Sequence, residues 1–135
     1  MARRGELVDP SGLPGFVALE DELPVGYVLV DTVGEECEVV VIEALRRRSG
    51  IGSRLIDAVC DSARSAGVRA VWLVTTNSNR TAIAFYESRG FELDDVRVGA
   101  VDNARRVLKP TIPEISESGL PVRDEWEFRL RLSPR

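Results

Sequence analysis

Val39-Val40-Val41-Ile42 forms an unbroken β-branched run inside Glu36 to Leu45, the pattern of a strand covered on both faces and so central in its sheet. Upstream, Gly15 to Glu20 and Val25 to Thr32 are short β-rich runs separated by Asp21-Glu22-Leu23-Pro24, which predicts a hairpin. From Ile51 the period changes. Ile51, Leu55, Ala58, Val59, Ala63 and Ala66 fall at helical spacing, and Gly67 follows as a C-terminal stop. Val68 to Thr76 returns to strand character, Asn79 to Arg89 predicts a second helix ended by Gly90, and Phe91 to Val96 opens another strand. A strand, a helix and a strand joined over this length imply a parallel, right-handed crossover. Beyond residue 97 the periodicity weakens: Gly99 to Lys109 reads as a short basic helix and Pro110 to Pro121 as an irregular loop with three prolines. Trp126 to Leu132 then alternates apolar and charged residues, which predicts a closing antiparallel strand with one wet face. The expected fold class is α/β, a central mixed β-sheet flanked by helices.

Composition narrows the functions more than the fold. At 135 residues, 44% apolar and 30% charged, the chain suits a single domain over 1–135 with its own core, a short N-terminal arm over 1–14, and a C-terminal loop and closing strand over 97–135. The formal charge of −4 argues against a nucleic-acid partner, and the local basic run Arg46 to Arg48 suits a phosphate instead. No apolar run approaches the roughly 18–20 residues that span a bilayer, and Met1-Ala2-Arg3-Arg4-Gly5-Glu6 is basic without the apolar stretch of a signal peptide. No membrane partner and a cytoplasmic location are therefore expected. Cys37 and Cys60 have neither metal-ligand spacing nor a disulfide framework and read as small core residues, so no metal is expected. Histidine is absent. That removes every mechanism built on a His base, a Ser-His-Asp relay or a His metal site, and leaves proton transfer to carboxylates, Tyr, Cys, Lys or water.

The candidate chemistry starts at Arg47-Arg48-Ser49-Gly50-Ile51-Gly52-Ser53, a turn with two glycines between the apolar strand and the first helix. Glycines let backbone N–H groups approach a ligand closely, and the helix adds the positive end of its dipole, so the turn reads as an anion cradle with phosphate as the natural guest. The dinucleotide fingerprint would need a third glycine or an alanine at Leu55, and the nucleoside-triphosphate loop would need Gly-Lys followed by Ser or Thr; neither is present. What remains is Arg-x-x-Gly-x-Gly at Arg47, Gly50 and Gly52. It resembles the pyrophosphate-binding motif of GNAT-superfamily acetyltransferases. About thirty residues downstream, Asn79, Ala82, Tyr86, Gly90 and Phe91 resemble the same family's Asn-x-x-Ala-x-x-x-Tyr-x-x-x-Gly-Phe block. The resemblance runs from about Gly15 to Phe91.

The resemblance implies a GNAT-like fold and an N-acetyltransferase that carries acetyl from acetyl-CoA, as cosubstrate, to a primary amine by direct attack. By the same resemblance the pyrophosphate meets the amides from Arg48 to Ser53, including those of Ser49, Gly50, Ile51 and Gly52, with the arginines adding charge-assisted bonds. The backbone at Ile42 and Ala44 lines the thioester, the Ile42 N–H polarising its carbonyl. Asn79 contacts the cofactor arm, and Tyr86 is the general acid for the thiolate. Residue by residue, plainer roles stay open: Tyr86 as a core aromatic, Asn79 as a helix N-cap, and Glu43, the candidate general base at the end of the central strand, as a solvent-facing carboxylate, with Glu36 and Glu38 nearer the strand's start. Only about fourteen residues precede Gly15, so much of the lining that the family uses for its small-molecule or peptide amine acceptor is missing. Either this is an N-terminally short version, or a second subunit supplies the wall in a homodimer. Arg105-Arg106-Val107-Leu108-Lys109 and Asp124-Glu125 could reach the acceptor or could simply be solvated. The alternative function is a catalytically incompetent acyl-CoA-binding sensor or interaction module with the same fold.

Overall fold

A computed structural model of the protein describes residues 2–3, 6–7, 12–45, 49–98 and 124–133. The predicted segments over 99–123, both basic helix and proline-rich loop, lie outside the described residues, as do Arg46, Arg47 and Arg48 and half of the N-terminal arm. Within that arm, β1 (Ala2–Arg3) and β2 (Glu6–Leu7) pair antiparallel. Six further strands hydrogen-bond in the order β3-β4-β5-β6-β8-β7: β3 (Gly15–Glu20), β4 (Leu23–Val33), β5 (Glu36–Ala44), β6 (Ala70–Thr76), β7 (Glu92–Arg97) and β8 (Glu125–Arg131). The helices are α1 (Ile51–Ser65) and α2 (Arg80–Ser88). Backbone proximity divides the chain into an α1 unit, Pro10–Leu73 with Leu130–Arg135, and an α2 unit, Met1–Asp9 with Val74–Arg129.

In the α1 unit, the hairpin is tighter than the sequence suggests. Asp21 and Glu22 alone make the turn, with φ of 52° and 66°, the mirror-image geometry that matches the right-handed twist of paired strands. Strand β4 therefore runs through Leu23 and Pro24, which sequence reasoning assigns to the connection. Proline is tolerated there because the ladder shifts register beside it: Ala18 pairs with Gly26 and Leu19 with Pro24, so Val25 is an extra residue. Neither turn residue is a glycine, and each left-handed non-glycine residue costs about 1–2 kcal/mol. Replacing Asp21-Glu22 by Asn-Gly is expected to stabilise the protein by about 1 kcal/mol, read as a rise in Tm; an unchanged or lower Tm would refute the turn's geometry.

Strand β5 is flanked by β4 and β6, as expected of a central strand. Its cover on both faces is shorter than Val39–Ile42 implies, since Cys37 to Val40 are buried, Val41 and Ile42 are half-buried, and Glu43 and Ala44 are exposed. Two features explain the difference. The parallel ladder to β6 registers Glu36 with Ala70, Cys37 with Val71 and Glu38 with Trp72, and no later pair among the described residues. On the β4 side the register shifts at the same level, Leu29 facing Val41 and Val30 facing Val39. Val40 is thus the extra residue of a bulge, which bends a strand and raises its twist just as the parallel pairing stops.

Helix α1 packs on β3, β4 and β5 through Ile51, Leu55, Ile56, Val59, Cys60 and Ala63. Ile56 and Cys60 take the places the spacing assigned to Ala58 and Ala66, because α1 presents its larger side chains to the sheet. The helix ends where Gly67, at φ 77°, donates to the Arg64 carbonyl and Val68 donates to that of Ala63, a left-handed stop that satisfies two terminal carbonyls. Leu132 closes the unit, its N–H 2.8 Å from the Arg69 oxygen.

In the α2 unit, one expectation fails. Strand β8 does not close the sheet but lies between β6 and β7, and its charged face is dry, with Glu125 and Glu127 exposed by only 7% and 4%. Interior position gives a strand two neighbours, and Arg97 on β7 supplies the charge that burial requires. The Arg97 guanidinium donates to Glu125 at 2.7 Å and 3.1 Å and to Glu127 at 3.3 Å, while Arg129 reaches Asp94 at 3.4 Å.

Candidate active site

The glycine turn sits in the α1 unit at the start of α1. Gly50 is the N-cap in the left-handed conformation, φ 78° and ψ 0°, and provides no side-chain cap; no acidic residue lies in the first turn. Arg54 N–H is bonded to the Gly50 carbonyl at 3.1 Å, which leaves the amides of Ile51, Gly52 and Ser53 without an acceptor inside the helix. Space beside Gly50 is open, with nothing within 4 Å of where a Cβ would stand. Ser49 and Gly50 are exposed, Gly52 and Ser53 half-buried, and Ile51 buried. Uncapped amides, a helix dipole and no competing carboxylate make a site for an anion such as a diphosphate.

The neighbouring end of β5 belongs to the same unit. Ile42, Glu43 and Ala44 pair with Val28, Tyr27 and Gly26 of β4, and the Leu45 N–H continues that ladder onto the Val25 oxygen at 2.9 Å. Glu43, the predicted base, is exposed, as is Glu36; Glu38 is buried within the strand. Cys37 and Cys60 are free and buried. Burial pushes the Cys37 thiol up, Asp31 and Glu38 adding to the rise against a lowering hydrogen bond from Thr32.

Asn79 and Tyr86 belong to the α2 unit. Asn79 is the N-cap of α2, its side-chain oxygen accepting the Ala82 N–H at 3.3 Å, so the plainer role weighed for it is occupied. Tyr86 is 7% exposed, its ring 5.4 Å from that of Phe85 and 5.7 Å from that of Phe91. The Gly-Phe that follows the helix has a mechanical purpose. Gly90, at φ 93°, donates to the Glu87 carbonyl and Phe91 to that of Tyr86, both at 3.0 Å, which folds Phe91 back onto Tyr86 and clamps its ring. Burial pushes the phenol up to about 12, so it is neutral and holds its proton across the physiological range.

Sequence reasoning passed over Asn77. It precedes α2, its N–H donating to the Asp124 carbonyl and its side-chain oxygen accepting from the Asp124 N–H, each at 3.0 Å. This reciprocal pair ties the start of β8 to the turn that leads into α2. Of Asp124 and Glu125, proposed from sequence as residues that could reach an acceptor, Asp124 is bonded to Asn77 through its backbone and the Glu125 carboxylate is held by Arg97. Among the described residues no group of His, Cys, Asp or Glu is arranged to hold a metal ion, and no helix is long and apolar enough to cross a membrane.

Residues 2–91 match the family model described as acetyltransferase (GNAT) family. The uncharacterized protein YdhI of Bacillus subtilis is 39% identical over 117 residues, covering 86% of this chain and 72% of that protein. The [ribosomal protein bS18]-alanine N-acetyltransferase of Escherichia coli is 34% identical over 58 residues, 43% of this chain and 39% of that enzyme. A Bacillus subtilis acetyltransferase solved in complex with CoA superposes with a TM-score of 0.73 at 21% identity, covering 87% of this chain and 75% of that one, a likeness of fold.

Proposed function

The chain belongs to the acetyltransferase (GNAT) family and is an acetyl-CoA-dependent acetyltransferase, and from this premise we propose that it acetylates a primary amine by direct attack, with Tyr86 as general acid. The observation that carries the reading is the uncapped first turn of α1, where Gly50, Ile51, Gly52 and Ser53 offer amides to the pyrophosphate. Arg47 and Arg48 are assigned charge-assisted contacts to the same group. At the end of β5 the amide of Ile42 polarises the thioester carbonyl and the backbone at Ala44 lines the acyl chain; the bulge at Val40 supports this by freeing the strand's end from its parallel ladder.

The neutral amine attacks the thioester carbon, forming the N–C bond as the C–S bond breaks. The sulfur leaves as thiolate and takes the Tyr86 proton, while the nitrogen passes its surplus proton to Glu43 through water. Direct attack is favoured over an acyl-enzyme because Cys37 and Cys60 are buried and burial disfavours the Cys37 thiolate. Asn79, besides capping α2, is assigned to the cofactor arm. For the acceptor, the similarity to an enzyme named for a ribosomal-protein alanine favours the amine of a peptide or a comparable small molecule.

Calorimetric titration with acetyl-CoA, followed by thiol-release assays against a panel of amines that includes a peptide beginning with alanine, tests this. One site per chain and amine-dependent release of CoA are expected. Absence of acetyl-CoA binding would end the proposal, and binding without release for any amine would leave only the sensor.

A further inference from the structure

Gly26 lies in the middle of β4, outside every motif, yet it stands between the two parts of the α1 unit that must hold acetyl-CoA together. It pairs with Ala44 at the end of β5. A Cβ built on Gly26 would lie 2.7 Å from Ile51 Cγ2, 2.8 Å from the Glu43 carbonyl oxygen and 3.4 Å from Ala44 Cα. Real Cβ atoms do not approach other atoms this closely, so either the first residue of α1 or the Glu43 peptide would have to move. Ile51 is 1% exposed and its branched methyl fills the notch that the missing side chain leaves, seating α1 directly on the strand.

We propose that Gly26 is a positioning residue that sets the spacing between the pyrophosphate cradle and the thioester-polarising end of β5. The inference rests on the acetyl-CoA reading above. A ligand that engages both places at once has a fixed length between its diphosphate and its thioester, so it senses that spacing. A ligand with only the nucleotide end does not. A misplacement of about 1 Å between positioning elements can cost about a hundredfold, whereas contacts confined to the α1 amides move with the helix and are conserved.

The test compares wild type with Gly26→Ala by calorimetry, using acetyl-CoA and 3′-phospho-ADP, which carries the diphosphate and lacks the pantetheine arm. Affinity of the variant for acetyl-CoA is expected to fall about tenfold or more, with 3′-phospho-ADP binding retained. Equal losses for both ligands, or no loss for either, would overturn the spacing role while leaving the pyrophosphate site intact. Wild type that binds neither ligand would overturn both readings. Should Gly26→Ala not fold, Ile51→Leu withdraws the branched methyl from the notch at nearly constant volume. It is expected to show the same selective loss to a smaller degree, and an equal effect on both ligands would again refute the proposal.

Discussion

Tyr86→Phe is expected to lower kcat by about 10²- to 10⁴-fold, the range contributed by a positioned general acid, with the affinity for acetyl-CoA nearly unchanged. Structure should survive the change. The ring that packs between Phe85 and Phe91 remains, and the backbone bonds that clamp it, through Gly90 and Phe91, involve no phenol. The pH profile gives a second, independent reading. An acid must hold its proton, and burial raises the Tyr86 pKa to about 12, so wild-type turnover should show no alkaline decline through pH 10. The same shift makes its contribution to stability complete below the unfolded value of about 10, with loss as pH rises from there through about 12. Single-turnover thiol release from pH 6 to 10 measures the first effect; an undiminished rate in the Phe variant would remove Tyr86 from the chemistry.

Gly52→Glu should separate binding from stability with opposite signs. A carboxylate in the first turn of α1 offers an acceptor to amides that the N-cap glycine, Gly50, does not cap and complements the dipole, and replacing glycine inside a helix gains roughly 0.5–1 kcal/mol more. The variant is therefore expected to melt a few degrees higher. Its carboxylate occupies and repels the place reserved for the diphosphate, so acetyl-CoA affinity should fall by at least about a hundredfold, which is near 2.7 kcal/mol. Calorimetry beside a thermal melt decides the matter. Retained affinity would show that the pyrophosphate binds elsewhere, and a drop in Tm would mean the binding loss is mere unfolding.

The parts of the molecule legible from sequence are those governed by local rules. Both helices fall where the spacing sets them, because each is bracketed by its own signals: Gly50 and Gly67 around α1, Asn79 and Gly90 around α2. The glycine turn and the Tyr86 block are legible for the same reason, being short contiguous patterns marked by glycines at left-handed positions and by a helix cap. What escaped depends on pairing between distant segments. The alternation in Trp126 to Leu132 predicts a wet face, and only the pairing of β7 with β8 reveals that Arg97 lies beside Glu125. Likewise the apolar run in β5 says nothing of where its parallel neighbour stops. Gly26 did carry a usable signal, since a glycine inside a strand pattern marks close approach of other atoms, but its partner Ile51 lies on another element.

The buried carboxylates of β8 have a consequence for how the chain finds its fold. Pairing runs from Glu92 opposite Arg129 to Arg97 opposite Glu125, and alternation sets Glu125, Glu127 and Arg129 on one face with Trp126 and Phe128 on the other. Misregistration by a single residue would exchange the two faces, sending two carboxylates toward the side where Phe128 is buried and leaving Arg97 with only Asp95 of its own strand, 3.0 Å away. Buried ion pairs add little net stability, but an uncompensated buried charge costs about 3–5 kcal/mol, so the network penalises slipped pairings more than it rewards the native one. The same slip would pull Asp124 away from Asn77 and undo both bonds at the turn before α2. Correct strand pairing and correct anchoring of the helix that carries Tyr86 thereby depend on one and the same register.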